Sequence, residues 1–266
     1  MKITTLTDNV VNRRGLLAEH GLSIYLEVDN KRVLFDTGQS SVFYKNAIEL
    51  GVNISLVDSL VLSHGHYDHT GGVSTFLDIN TCAKIFAKRE AFLPKYRGKR
   101  YIGVDPGVKI PEDRVVYTDD FFKISERLFI VSGPIMANNP SSSDSEGFNC
   151  EENCSLIKDR FLDEQYLVYL GEDGLTIITG CSHLGIIEIV LQATEMFKMP
   201  VNTIIGGFHT SQMAKEGVDK IIESLSKISP LKIGVCHCTG QDAYCRFKNE
   251  LNCKVFYNYC GEIINI

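Results

Sequence analysis

"VLSHGHYDHTGG", residues Val61–Gly72, places three histidines and an aspartate within the six positions from His64 to His69. Neutral imidazole and carboxylate are good ligands for zinc and similar borderline ions. In an H-x-H pair, alternate residues of a strand end face one way, so His64 and His66 can share one metal. Asp68 and His69 turn away and can hold a second. A histidine-rich turn satisfied only by hydrogen bonds is the competing reading. Four ligand-type residues so close together, with the small Gly65 between two of them, weigh against it.

The segment begins where a strand stops. "DSLVLS" (Asp58–Ser63) is a continuous apolar run, the pattern of a strand buried on both faces. Upstream, Leu22–Val28 and Arg32–Asp36 read as strands joined by turn residues Asp29 to Lys31. "SVFYKNAIELG" reads as a helix ending at Gly51. Downstream, strands at Leu175–Gly180, Asn202–Gly207 and Lys232–Cys236 alternate with apolar residues at helical spacing, Ile186 to Phe197 and Val218 to Ile228. A helix over about Gln241–Leu251 and strands "KVFYN" and "EIIN" follow. Cys181, His183, His209 and His237 all lie just past the carboxyl end of a strand, where α/β folds build sites. The middle, about 79–165, reads as a cap-like insertion, and its polar stretch "NNPSSSDSEGFNCEENC" (Asn138–Cys154) reads as a mobile loop.

The chain has 266 residues, 44% hydrophobic and 23% charged, which suits one domain over 1–266 carrying that insertion. A net charge of −6 argues against nucleic acid as a partner. The start lacks a signal-peptide core, and no apolar run approaches the ~20 residues of a membrane span, which points to a cytoplasmic location. The nine cysteines are odd in number and lack scaffold spacing, so they are expected to be reduced. Cys181, Cys236 and Cys238 stand apart from the rest because each sits beside a histidine.

H-x-H-x-D-H after a buried strand resembles the signature of the metallo-β-lactamase superfamily. "VLFDTG" resembles that superfamily's Asp-Thr-Gly element, with Asp36 as buttress, and "IITGCSH" stands where it commonly has T-G-D. Together "EHGLSIYLE", "TGCSHLGI", "GGFHT" and "CHCTG" are similar to its dihydropterin–ribofuranosylaminobenzene-phosphate synthase-like branch. The resemblance implies an α/β fold, an αββα sandwich with a dinuclear site. It implies His64, His66 and His183 on one ion and Asp68, His69 and His237 on the other. Cys181 replaces the usual bridging aspartate and is a candidate thiolate ligand. His209 competes with His237 and is placed instead on the substrate side or in proton transfer. His20 is open between holding the turn and serving the site. Two zinc ions are expected, with iron or manganese as the alternatives these donors accept.

The activity expected is hydrolysis, or a related transfer, by a metal-bound hydroxide that Asp68 helps to orient. Lys84, Lys88, Arg89, Lys95, Arg97, Lys99 and Arg100 crowd seventeen residues against one acid, Glu90. With Phe86, Phe92, Tyr96 and Tyr101 interleaved, they suit a small anionic substrate, phosphorylated or pterin-like. A solvated helix face is the plain alternative. The other functions weighed are a nuclease, di-iron oxygen chemistry, and a metal- or ligand-binding protein with little hydrolytic activity. The di-iron enzymes carry glutamate at the position of His66 and a flavin domain for which this chain has no room.

Overall fold

Short β-branched and apolar runs separated by turn residues produce many strands and few helices. The computed structural model describes residues 1–133 and 147–266. The chain divides into two compact units. The first comprises Met1–Asp119, Gly147–Gln165 and Tyr259–Ile266; the second, Asp120–Glu146 and Tyr166–Asn258.

In the first unit, β1 (Lys2–Thr7), β2 (Ser23–Val28) and β3 (Lys31–Phe35) pair antiparallel. β4 (Ser59–Val61) and β5 (Lys84–Ala87) then run parallel to β3. β8 (Val115–Tyr117) and β18 (Ile263–Asn265) take the two edges of this seven-stranded sheet. β4 is buried at every position, as its continuous apolar run requires. β1 has no counterpart in the sequence reading, because its threonines break the apolar signal. Helices α1 (Val42–Glu49), α2 (Tyr67–Thr70) and α3 (Val73–Ile79) connect these strands. Phe43 and Ala47 of α1 and Val73 and Phe76 of α3 join Leu34, Leu60 and Ile85 in one apolar cluster. Burying each large side chain contributes about 1.5–3 kcal/mol.

A four-stranded sheet completes this unit, from β6 (Lys95–Arg97), β7 (Arg100–Tyr101), β11 (Phe148–Glu152) and β12 (Ser155–Lys158). This corrects the loop expected over Asn138–Cys154: its second half is strand, and residues 138–146 lie outside the described residues. Asn153 and Cys154, at φ 51° and 60°, form the two-residue turn that joins β11 to β12. Positive φ at both central positions matches the right-handed strand twist.

In the second unit, β9 (Phe121–Lys123), β10 (Leu128–Ser132), β13 (Gln165–Gly171) and β14 (Gly174–Ile178) build one side of a seven-stranded sheet. β14, β15 (Val201–Gly206), β16 (Lys232–Val235) and β17 (Lys254–Tyr257) run parallel. Helices α4 (Ile186–Phe197), α5 (Lys215–Ile228) and α6 (Gln241–Glu250) link them. Parallel strands put all their carboxyl ends on one edge, which fixes where the following loops emerge. Among the described residues, no helix is long and apolar enough to cross a membrane.

Asn80 holds the turn before β5. Its Oδ1 accepts from the Ala83 amide at 2.8 Å, and its Nδ2 donates to the carbonyls of Ile54 and Val57 at 3.1 and 2.9 Å. Each buried group left unsatisfied costs about 1–3 kcal/mol. Asn80→Ala is therefore expected to lose about 3 kcal/mol or more in urea unfolding. A loss under about 1 kcal/mol would show that the turn holds without it.

Candidate metal centre

In the first unit the H-x-H-x-D-H residues occupy the loop after β4 and helix α2. His64, His66, Asp68 and His69 are all buried. Their order is set by one carboxylate. Asp36, just past β3, has φ 61° and no exposure. Its Oδ1 accepts from the Ser63 amide at 2.6 Å, and its Oδ2 accepts from Ser63 Oγ at 2.6 Å and from His69 Nδ1 at 2.7 Å.

This network assigns ring protons. Ser63 has one hydroxyl proton, and the carboxylate takes it. Ser63 Oγ therefore accepts from His64 Nδ1, 2.9 Å away. His64 and His69 both carry their proton on Nδ1 and keep a lone pair on Nε2. His64 Nε2 lies 3.0 Å from His66 Nδ1. With its proton on Nδ1, His66 donates across that gap; with it on Nε2, both lone pairs face one point. Two nitrogens on one tetrahedral zinc sit about 3.3 Å apart, so the pair fits such an ion. His69 Nε2 lies 4.0 Å from Asp68 Oδ2, a second pair of oriented donors.

Burial pushes His64 well below the ordinary imidazole range and His66 down to about 3. Both rings are thus neutral, the form that binds metal. His20 is the residue the sequence left undecided: its Nε2 lies 3.2 Å from Asp68 Oδ2 and its Nδ1 3.2 Å from Asn9 Nδ2. It touches a candidate ligand and holds the turn at once.

A buried charge cluster braces the loop from behind. The Gly65 amide donates to Asp163 Oδ2 at 2.7 Å. Lys95 Nζ donates to Asp163 Oδ1 at 3.0 Å and to Asp159 Oδ2 at 2.7 Å. Burial opposes the Lys95 charge, but the two carboxylates outweigh it and raise its pKa; the ammonium in turn lowers Asp163 against its own burial. A Cβ on residue 65 would meet the Ala91 carbonyl oxygen at 2.0 Å, so only glycine passes here.

Lys95, at 1% exposure, is thus no part of a substrate-facing patch, which corrects that expectation. Its neighbours are also engaged within the fold. Arg89 stacks on Tyr117 at 3.9 Å, Arg97 on Phe148 at 5.0 Å and Arg100 on Tyr67 at 5.1 Å. Lys84 Nζ donates to the Asp113 carbonyl. Residues 64 and 68 positions from Lys95 supply its acids, a separation that no local pattern reveals.

In the second unit the ligand-type residues follow three adjacent parallel strands. Cys181 and His183 come after β14, His209 after β15, and His237 after β16. Donor atoms of Cys181, His183 and His209 lie within 4.8 Å of one another, as do those of Cys181, His237 and Cys238. His209, expected on the substrate side, thus stands at ligand-type distance from Cys181 and His183. Cys238 is the member the sequence did not single out from Cys236. Ser182 Oγ donates to the Gly207 carbonyl at 2.7 Å and Thr210 Oγ1 to that of Thr239 at 2.7 Å, tying the loops together. Ser182, His209 and His237 have φ of 60°, 52° and 52°. Left-handed backbone at non-glycine residues costs of order 1–3 kcal/mol each and clusters at functional sites. Burial would raise the Cys238 thiol, but hydrogen bonds to Cys181 and His209 and the nearby His237 outweigh it and favour thiolate.

A family model described as the metallo-beta-lactamase superfamily matches residues 17–145. The uncharacterized protein MJ0448 of Methanocaldococcus jannaschii is 33% identical over 268 residues, covering 99% of this chain and 100% of its own. The 7,8-dihydropterin-6-methyl-4-(beta-D-ribofuranosyl)-aminobenzene-5'-phosphate synthase of the same organism is 30% identical, over 99% of this chain and 96% of its own. Among solved structures, Tm1679, described as a metal-dependent hydrolase of the beta-lactamase superfamily, is 33% identical with a TM-score of 0.87, covering 100% of this chain and 99% of that one.

Two outcomes test this geometry. Asp163→Ala is expected to weaken zinc affinity about 10–100-fold in a chelator competition, as loss of an outer partner does. Asp163→Asn, which keeps an acceptor for Gly65, should lose less. Metal-free protein is expected to lose stability as pH falls below 6.5, because the unfolded chain protonates His66 there and the folded chain waits until about 3. By pH 4 the loss from this residue approaches about 3 kcal/mol in urea titrations. His66→Asn should flatten that slope; an unchanged slope would mean that other groups carry it.

Proposed function

From the premise that this chain belongs to the metallo-β-lactamase superfamily, we propose that it is a metal-dependent hydrolase, or a related group-transfer enzyme, with a dinuclear site. The observation that carries this is the His64–His66 nitrogen pair, kept neutral by burial, with His64 aimed by the Asp36 network. The candidate ligands are His64, His66, Asp68 and His69 in the first unit and Cys181, His183 and His237 in the second, and zinc is the ion these donors suit best. When bound, such an ion supplies Lewis acidity and a water acidified to near neutral pH.

The chain's own residues do the rest. Asp36 fixes the tautomers of His64 and His69, so no reorganisation of those rings is needed as charge develops. Asp68 orients the attacking water. His20, against Asp68, is placed to exchange a proton with solvent, since its side chain is 55% exposed. His209 serves the substrate or the leaving group. The substrate is small and anionic, phosphorylated or pterin-like. The support is the likeness over nearly the whole chain to a synthase whose name carries a dihydropterin and a ribose phosphate.

The test is metal content by mass spectrometry beside turnover of phosphomonoester, phosphodiester, carboxylic-ester and dihydropterin phosphoester substrates. Two ions per chain and turnover of a phosphorylated compound are expected. His66→Ala and Asp68→Ala should each lower kcat/KM by more than about 100-fold. Full turnover by metal-free protein would overturn the proposal.

A further inference from the structure

The superfamily motifs assign no role to Cys238, yet its sulfur lies in a prepared place. Cys238 is 8% exposed, Cys181 and His237 are 3% exposed each, and neither cysteine is in a disulfide. His237 and Cys238 are consecutive, so in an extended strand they would point to opposite faces. Here a left-handed His237 and a tight turn over His237–Thr239 bring both donor atoms within 4.8 Å of Cys181 Sγ and of each other. In its protonated form Cys238 Sγ donates to the Cys181 carbonyl at 3.5 Å, which ties the two loops at the sulfur itself. The space it fills is reserved by Gly207, where a Cβ would stand 2.5 Å from that sulfur.

We propose that Cys181, His237 and Cys238 form a two-thiolate, one-imidazole metal-ligand set contained in the second unit. The inference rests on the metal reading above and deepens it by naming a ligand and a metal class. Two sulfurs make the set soft. It selects zinc, iron(II) or cobalt(II) and disfavours manganese and magnesium, which prefer oxygen. A fourth position is left for water or substrate, as in catalytic rather than closed structural sites.

Cobalt(II) loaded into metal-depleted protein reads the sulfurs directly, through thiolate-to-cobalt absorption in the near ultraviolet. Wild type should show a band that falls by about half in Cys181→Ser and in Cys238→Ser and disappears in the double variant, as expected for two thiolates on soft-metal donors. Cys245→Ser, at an exposed cysteine, should leave it intact. A full band in Cys238→Ser overturns the proposal. Cobalt bound without any such band overturns it too and leaves the metal-dependent reading standing, whereas no cobalt bound at all defeats that reading itself. Should Cys238→Ser fail to fold, the cadmium-113 resonance of wild-type protein counts sulfur ligands without substitution. A shift typical of two sulfurs supports the set, and one typical of one or none overturns it.

Discussion

The candidate site depends on the carboxylate of Asp36. It is fully buried and meets three donors, the Ser63 amide and hydroxyl and the His69 ring. An ionised acid in such a place is tolerated only because each contact is a hydrogen bond to the charge. The carboxylate decides which nitrogen of two histidines carries a proton, directly for His69 and through Ser63 for His64. The position after β3 and the loop after β4 are thereby locked together, and β3 and β4 pair in parallel to present them side by side. A residue outside the candidate ligand set thus sets what those ligands can do.

The Lys95–Asp159–Asp163 cluster acts on the same loop from the other side, and it is costly by nature. Breaking a buried pair by removing one partner typically costs 3–5 kcal/mol, although an apolar replacement of the whole set can be neutral. What an apolar set could not supply is the acceptor at the Gly65 amide, between His64 and His66. The cluster thus couples the small sheet bearing Lys95 to the histidine loop.

Much of this was legible in residue order. The alternation of apolar strands with helical spacing identified β14, β15 and β16 and the helices between them. The parallel pairing then explains why Cys181, His209 and His237 emerge on one edge. H-x-H-x-D-H named its residues because their density is a local signal. What escaped was nonlocal or conformational. Lys95 read as one of seven cations because its acids lie beyond the reach of any local window. The strand at Phe148–Glu152 was hidden in polar sequence, since its pairing partners, not its own apolarity, make it a strand. Cys236 and Cys238 were indistinguishable in "CHCTG" until the left-handed His237 separated their directions.

That left-handed backbone has an evolutionary edge. His209 and His237 hold φ values that glycine would adopt without strain. A library of this chain selected only for heat resistance would be drawn to those codons first, and each gain there would erase a functional side chain. Selection for turnover would pull the opposite way at the same positions. The chain's thermal ceiling and its chemistry are therefore written into the same few residues, and stabilising it without loss means working elsewhere.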